Sequence, residues 1–204
     1  MLPRILLAIS LTGLAACSSG SGNPAGQSPD VTTGFVTPDA NGQIAGQLDP
    51  DAVSGGSVST GDIGAVKSGY AYLTETEGTT ILARAGLVNP QAIANRPTTG
   101  TGHFDAEFRI AGVPDTTRSY EIEEATGTLP VTVDFRRGTV TGRGDGLAIA
   151  GQLTAGTAGY AGTATWRGID GDLRGRVNAT AITGAMTGSG PTGAFSGGFT
   201  GNAR

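Results

Sequence analysis

From residue 101 onward, apolar and polar positions alternate with a period of two. Phe104, Ala106, Phe108 and Ile110 fall on one side, and Asp105, Glu107 and Arg109 on the other. Tyr120 and Ile122 oppose Glu121 and Glu123; Leu129, Val131, Val133 and Phe135 oppose Thr132 and Asp134. A period of two with one polar face predicts half-buried antiparallel strands. Turn signals then follow quickly. Arg136-Arg137-Gly138, Asp145-Gly146 and Asp170-Gly171 separate short runs such as Thr139-Val140-Thr141 and Leu147-Ala148-Ile149, and Asp-Gly is a favoured two-residue hairpin turn. Tyr160, Gly162, Ala164 and Trp166 share a face, and 182–187 and 193–200 supply further strands. Short strands at this spacing predict a sandwich or an up-and-down barrel.

The glycines sharpen that choice. The chain has 36 of them, many inside the strand runs, where glycine is tolerated for sharp coiling or close packing. With few large apolar residues, the pattern favours a small, tightly curled barrel filled by Phe, Tyr, Trp, Val, Leu and Ile. Upstream, Tyr70-Ala71-Tyr72-Leu73 and Thr80-Ile81-Leu82-Ala83 flank Glu75-Thr76-Glu77-Gly78 and predict a hairpin. Residues 87–96 carry Asn and Pro and suit a helical turn. Residues 18–66 are rich in Ser, Gly, Asp, Pro and Asn with isolated apolar positions, the composition of a tether holding at most a ragged strand or two.

Residues 1–16 follow a different order: Arg4, an apolar run from Ile5 to Leu14, then Ala15 and Ala16. That is the order of an export signal, too short to span a bilayer as a permanent helix. The quartet Leu14-Ala15-Ala16-Cys17 resembles the lipobox of bacterial lipoproteins, at the expected place after the apolar run. The resemblance implies cleavage before Cys17 and diacylation of its sulfur. It also implies acylation of the new amino group and, with Ser18 next, retention in the outer membrane. Two or more acyl chains hold a protein stably to lipid where one does not. The chain has one cysteine, so no intramolecular disulfide supports the fold in an oxidising compartment.

Composition narrows the partners. Net charge is −4, which disfavours nucleic acid and leaves anchoring to the lipid. The expected organisation is a signal peptide over 1–16, a lipidated Cys17 with a flexible tether over 17–66, and a β-barrel domain over 67–204. A transmembrane barrel is the competing architecture. It needs longer strands and an apolar outer band with aromatic girdles, whereas the outward faces here carry Glu121, Glu123, Arg174 and Arg176.

Asp134-Phe135-Arg136-Arg137-Gly138-Thr139-Val140-Thr141-Gly142, preceded by Gly127-Thr128-Leu129-Pro130-Val131, resembles the barrel domain of transferrin-binding-protein-like surface lipoproteins. Tyr160-Ala161-Gly162-Thr163-Ala164 is similar to that family's aromatic-x-Gly-Thr-Ala strand. Gly193-Ala194-Phe195-Ser196-Gly197-Gly198-Phe199-Thr200-Gly201-Asn202-Ala203 is similar to its closing segment, and Pro97-Thr98-Thr99-Gly100 to its opening strand. The resemblance covers about 97–204. It implies an eight-stranded barrel on the bacterial surface and, in the best-known members, capture of host iron proteins or other host factors. The family continues into a Glu-x-x-Gly-Gly-x-Phe strand beyond the point matched by Arg204. Two alternatives therefore stand: an open edge available to a partner, or an edge filled by the segment near Tyr70. The family's two-lobed, handled build is absent, so iron capture is not carried over.

Candidate chemistry is sparse. His103 is the one histidine, which disfavours a catalytic triad or a histidine-rich metal site; Asp105 shares its face. Asp170, Asp172 and the Asp49/Asp51 pair lack the spacing of a calcium loop and suit turns and caps. Arg143-Gly144-Asp145 spells an integrin-recognition tripeptide at a hairpin tip, where Asp-Gly is also what a tight turn requires. Gly188-Ser189-Gly190-Pro191-Thr192-Gly193 fits a dinucleotide glycine pattern by letter but lacks the following helix. Asn178-Ala179-Thr180 is a sequon without a role in an exported bacterial protein. No cofactor or metal is expected. The expected function is a non-catalytic, outer-membrane-anchored binding module meeting a macromolecule or nutrient through barrel loops or an open sheet edge. The alternative is a structural lipoprotein of the envelope.

Overall fold

The computed structural model describes residues 28–39, 41–44 and 68–204, together with the backbone of 55–62. Twelve strands fall within these residues: β1 (Asp30–Phe35), β2 (Gly55–Asp62), β3 (Gly69–Glu77), β4 (Thr80–Val88), β5 (Thr101–Val113), β6 (Glu123–Asp134), β7 (Thr139–Gly144), β8 (Leu147–Leu153), β9 (Gly159–Trp166), β10 (Ile169–Val177), β11 (Ala181–Gly190) and β12 (Gly193–Ala203). Strands β5 to β12 form a closed eight-stranded antiparallel barrel in which consecutive strands are neighbours. The ring shuts where β12 pairs with β5, from Ala194 opposite Val113 to Ala203 opposite Phe104. Neither alternative left by the sequence holds: β12 itself pairs with β5, so the barrel has no open edge and the segment near Tyr70 fills none, lying instead in a separate sheet. Closure removes an aggregation-prone row of unpaired backbone groups.

The interior follows the alternation. Phe104, Phe108, Leu129, Val131, Trp166, Leu173, Phe195 and Phe199 point inward and are buried. Trp166 meets Phe195 in a tilted pair with ring centroids 5.8 Å apart, a favourable aromatic geometry. Tyr160 also points inward, its hydroxyl donating to the Thr183 carbonyl at 2.8 Å. A Cβ at Gly175 would lie 2.1 Å from the Tyr160 ring, so that glycine is the slot the phenol occupies.

Two expected strand residues behave differently. Tyr120 and Ile122 lie in the 114–122 connection and pack outside the barrel, against Ile81, Ala83, Val113 and Ala194. Pro114 helps end β5, and Asp115 turns the chain by accepting from the Thr117 N–H at 3.0 Å and hydroxyl at 2.5 Å. That hydroxyl is also the main reason the Asp115 carboxyl is held below its ordinary range.

The remaining strands make a second layer. Its order is β1-β4-β3-β2, with β1 parallel to β4 and the other pairs antiparallel. Strands β1 and β2 thus fall within the 17–66 stretch expected as a tether, and the barrel itself begins at Thr101. The short β1 carries few apolar residues, yet Phe35 is covered by the Arg174 guanidinium 4.5 Å above its ring, a cation–π contact. The expected hairpin is β3–β4, turning at Gly78 with φ 57. The expected helical turn is a 3-10 turn at Pro90–Ala92.

This sheet covers the outside of β11, β12 and β5, where small residues form a floor. Tyr70 and Tyr72, stacked with centroids 6.1 Å apart, pack with Ala85, Ala111 and Ala185. The Thr74 and Ser196 hydroxyls lie 2.7 Å apart, and the Ala111 and Leu73 carbonyls accept within 2.9 and 3.0 Å. Elsewhere the barrel's outer face is polar and exposed, with Asp105, Glu107, Arg109, Thr132, Thr141, Thr163 and Asp172. Those residues are not the apolar band of a lipid-facing barrel. Among the described residues no helix is long and apolar enough to cross a membrane.

The buried phenols set an alkaline limit. Burial pushes Tyr160 well above the ordinary tyrosine value; burial first, and Tyr72 beside it second, pushes Tyr70 up. The unfolded chain releases these protons above pH ~10 while the folded chain retains them. Stability is therefore full below that pH and falls as pH rises through it, by up to about 1.4 kcal/mol per pH unit for each phenol. Urea midpoints at pH 9 and 11 should show this fall, and equal midpoints would contradict it.

Candidate functional site

Leu14, Ala15, Ala16 and Cys17 lie outside the described residues, as do Asp49 and Asp51. The other candidate residues are distributed over the barrel and do not converge. His103 faces outward on β5, where its Nδ1 lies 3.3 Å from the Thr132 hydroxyl. Asp105 does not orient it, because Arg204 takes the Asp105 carboxylate at 2.5 Å. Asp170 accepts from the Thr165 hydroxyl at 2.7 Å. Among the described residues no group of three His, Cys, Asp or Glu could hold a metal ion.

The three sequence motifs are used by the fold. In Arg143-Gly144-Asp145, Asp145 takes φ 47 and its carboxylate accepts from the Thr128 N–H at 2.7 Å and hydroxyl at 3.2 Å. The tripeptide's carboxylate is thus tied to the neighbouring strand. The Asn178 side chain accepts from the Thr180 and Ala181 N–H groups at 2.9 and 2.8 Å, shaping the β10–β11 turn. Gly188–Gly193 spans the β11–β12 hairpin.

One depression of about 450 Å3 opens on the barrel flank, with Thr132, Thr141, Thr163 and Thr165 around a floor that includes Ala148 and Ala150. Its titratable lining residue is Arg143. It therefore holds hydroxyls and one guanidinium but no nucleophile beside a base, the pairing that acid–base or covalent catalysis needs.

The barrel's two ends remain as surfaces. The near end carries connections 114–122, 145–146, 167–168 and 191–192, and the β3–β4 tip beside them. Strand β1 starts here, with the Asp30 N–H donating to the Thr79 carbonyl at 3.1 Å. Arg167 lies over the Trp166 ring at 5.1 Å and pairs with Glu123, joining the 167–168 turn to the start of β6. The far end carries connections 89–100, 135–138, 154–158 and 178–180. Its turns are tied together by backbone bonds from Phe135 to Gly100 at 2.9 Å and from Leu153 to Gly138 at 2.7 Å. Arg96 donates to the Thr157 carbonyl, and Arg176 donates twice to the Ile93 carbonyl, at 3.1 and 2.9 Å. Sequence reasoning treated Arg174 and Arg176 as simple outward charges; their partners, Phe35 on β1 and the Ile93 carbonyl in the 89–100 connection, are distant in the chain and have no local sequence signal.

No family model matches the chain, and no curated protein matches it. Solved structures similar to it include transferrin binding protein B from serogroup B Neisseria meningitidis. That match has 12% identity and a TM-score of 0.46, and it covers 82% of this chain and 36% of that one. A transferrin binding protein B variant from Haemophilus parasuis Hp5 matches at 10% identity with a TM-score of 0.47, covering 72% of this chain and 37% of that one. A surface lipoprotein matches at 11% identity with a TM-score of 0.49, covering 81% of this chain and 84% of that one. The chain thus spans well under half the length of the two transferrin-binding structures to which it is similar.

Proposed function

We propose that the chain is a non-catalytic lipoprotein, held at the bacterial outer membrane by acyl chains on Cys17, whose barrel is a binding module. The observation that carries this reading is the Leu14-Ala15-Ala16-Cys17 quartet directly after an apolar, singly charged leader. The packed interior supports the rest: with its aromatic and aliphatic side chains buried, a ligand meets the outer surface rather than a cavity inside. The spacing also bears on how the module is held. Residues 18–29 separate Cys17 from β1, and that length of chain reaches at most about 40 Å when fully extended. Together with the position of Asp30, this keeps the near end within that distance of the lipid.

Cys17→Ser tests the anchor. Palmitate labelling in cells should be lost, and the protein should leave the membrane fraction. A variant that still takes up palmitate refutes the anchor. Protease treatment of intact cells tests outward display. Removal of the barrel supports capture at the surface, and complete protection favours the structural role within the envelope.

A further inference from the structure

The charges of this domain are segregated along the barrel axis. Among the described residues the near end gathers Glu77, Asp115, Glu121, Glu123, Glu124 and Asp145, with Arg118, Arg143 and Arg167 as its cations. The far end gathers Arg96, Arg136, Arg137 and Arg204. Among the described residues two carboxylates lie beside these arginines. Asp105 is paired with Arg204 at 2.5 Å, and Asp134 is engaged by the Arg136 and Arg137 N–H groups at 3.0 and 2.8 Å, which leaves Arg96, Arg136 and Arg137 as the guanidinium groups on offer. The Arg137 guanidinium reaches Asp134 at only 3.8 Å with a side chain 82% exposed, and Arg136 is likewise exposed. Thr98, Thr99, Thr154, Thr157 and Thr180 are exposed at this end, beside Gln91, Asn95 and the small residues Ala94, Ala155 and Ala179. The large apolar side chains of these turns, Ile93 and Phe135, are buried.

We propose that the far end is a docking surface for a polyanionic polysaccharide, a sugar chain bearing carboxylate or sulfate groups. Guanidinium groups bind such anions through charge-assisted, often bidentate hydrogen bonds. Threonine hydroxyls both donate and accept, which suits a polymer of hydroxyl groups. A protein partner would call for exposed aromatic or aliphatic anchors at the centre of the contact, and this surface has buried them. The acidic near end repels the same polymer and steers its approach to the far end. The described chain starts at the near end, so the far end lies opposite the point of entry. The occupant is a polysaccharide chain in solution, and membrane headgroups are the alternative that the test below must exclude. This inference rests on the binding-module reading above.

The test uses the full chain, with dextran sulfate and polygalacturonate as probes, neutral dextran as the control and lipopolysaccharide vesicles as the membrane arm, read by isothermal titration at low and physiological salt. At low salt the two acidic polymers should bind and neutral dextran should not. Physiological salt should weaken binding at least tenfold. R136A/R137A should also weaken it at least tenfold while its melting temperature stays unchanged, since the Asp134 caps use backbone N–H groups. R136K/R137K, which keeps the charge but loses the guanidinium fork, should bind more weakly than the wild type and more tightly than R136A/R137A, and Arg118→Ala at the near end should leave binding unchanged. Any of four results overturns the proposal: no binding at low salt, equal binding of neutral dextran, full binding by R136A/R137A, or binding confined to lipopolysaccharide vesicles. Membrane attachment and palmitate labelling are read separately. Failure of this site is therefore distinguishable from failure of the anchored-module reading.

Discussion

Phe199→Ala should destabilise the folded chain by about 3–5 kcal/mol, the range for truncating a fully buried aromatic. Phe199 is 0% exposed and points into the barrel. Its cross-strand neighbours are Phe108 on β5 and Gly184 on β11. An added Cβ at Gly184 would lie 2.5 Å from the Phe199 ring, so the ring occupies the space that a side chain there would otherwise fill. The inward positions flanking it on β12 are Gly197 and Gly201, which have nothing to swing into a void. A cavity that cannot collapse places the cost in the upper part of the range. Domains of this kind have a total stability of about 5–15 kcal/mol, so urea unfolding should shift to a much lower midpoint at unchanged slope. A loss below about 1 kcal/mol would show that this interior is not close-packed around Phe199.

The same glycines explain what the sequence disclosed. Where large residues alternate with charges, as from Phe104 to Ile110, one face is buried and one is wet, and the period of two is plain. The β5 burial pattern follows that alternation until Ala111, where both faces become buried. Strands β11 and β12 are buried on both faces for almost their whole length. Their residues are Gly, Ala, Ser and Thr with a few large ones, so neither face stands out by hydrophobicity. The side sheet that covers them was therefore invisible, although its central hairpin was legible from Tyr70 to Ala83. Strand β1 was invisible for another reason: Asp30–Phe35 has little apolar content, and its parallel pairing to β4 and its contact with Arg174 are long-range. Closure by β12 on β5 joins residues far apart in the chain, and no local signal carries such a pairing. At the site level, the sequence identified the Arg136-Arg137 turn but not its neighbours. Arg96 and Arg204 join it only once the connections meet at the far end.

Tyr70→Ala should cost about 3–5 kcal/mol by the same cavity argument, but at the seam between the two layers. Tyr70 is 2% exposed, stacks on Tyr72, and lies so flat on β12 that a Cβ at Gly198 would fall 2.3 Å from its Cγ. Gly198→Ala is the reciprocal change: it drives a methyl group into the ring and forces the sheet off the barrel, costing about 1–3 kcal/mol as an overpacked contact. Combining the two should be less damaging than their sum, because the new methyl group partly fills the space the ring vacates. Residues in direct contact commonly couple by 0.5–3 kcal/mol, and at least about 1 kcal/mol is expected here. Rescue stays incomplete, since the Gly184 carbonyl would still lie 2.5 Å from that methyl group. Urea unfolding of the wild type, both single variants and the double variant measures the coupling. Strict additivity would mean that Tyr70 does not rest on Gly198 and that the sheet is not seated on the barrel through this pair. A coupling of the expected sign would identify a glycine on the outside of a barrel as the residue that admits the second layer.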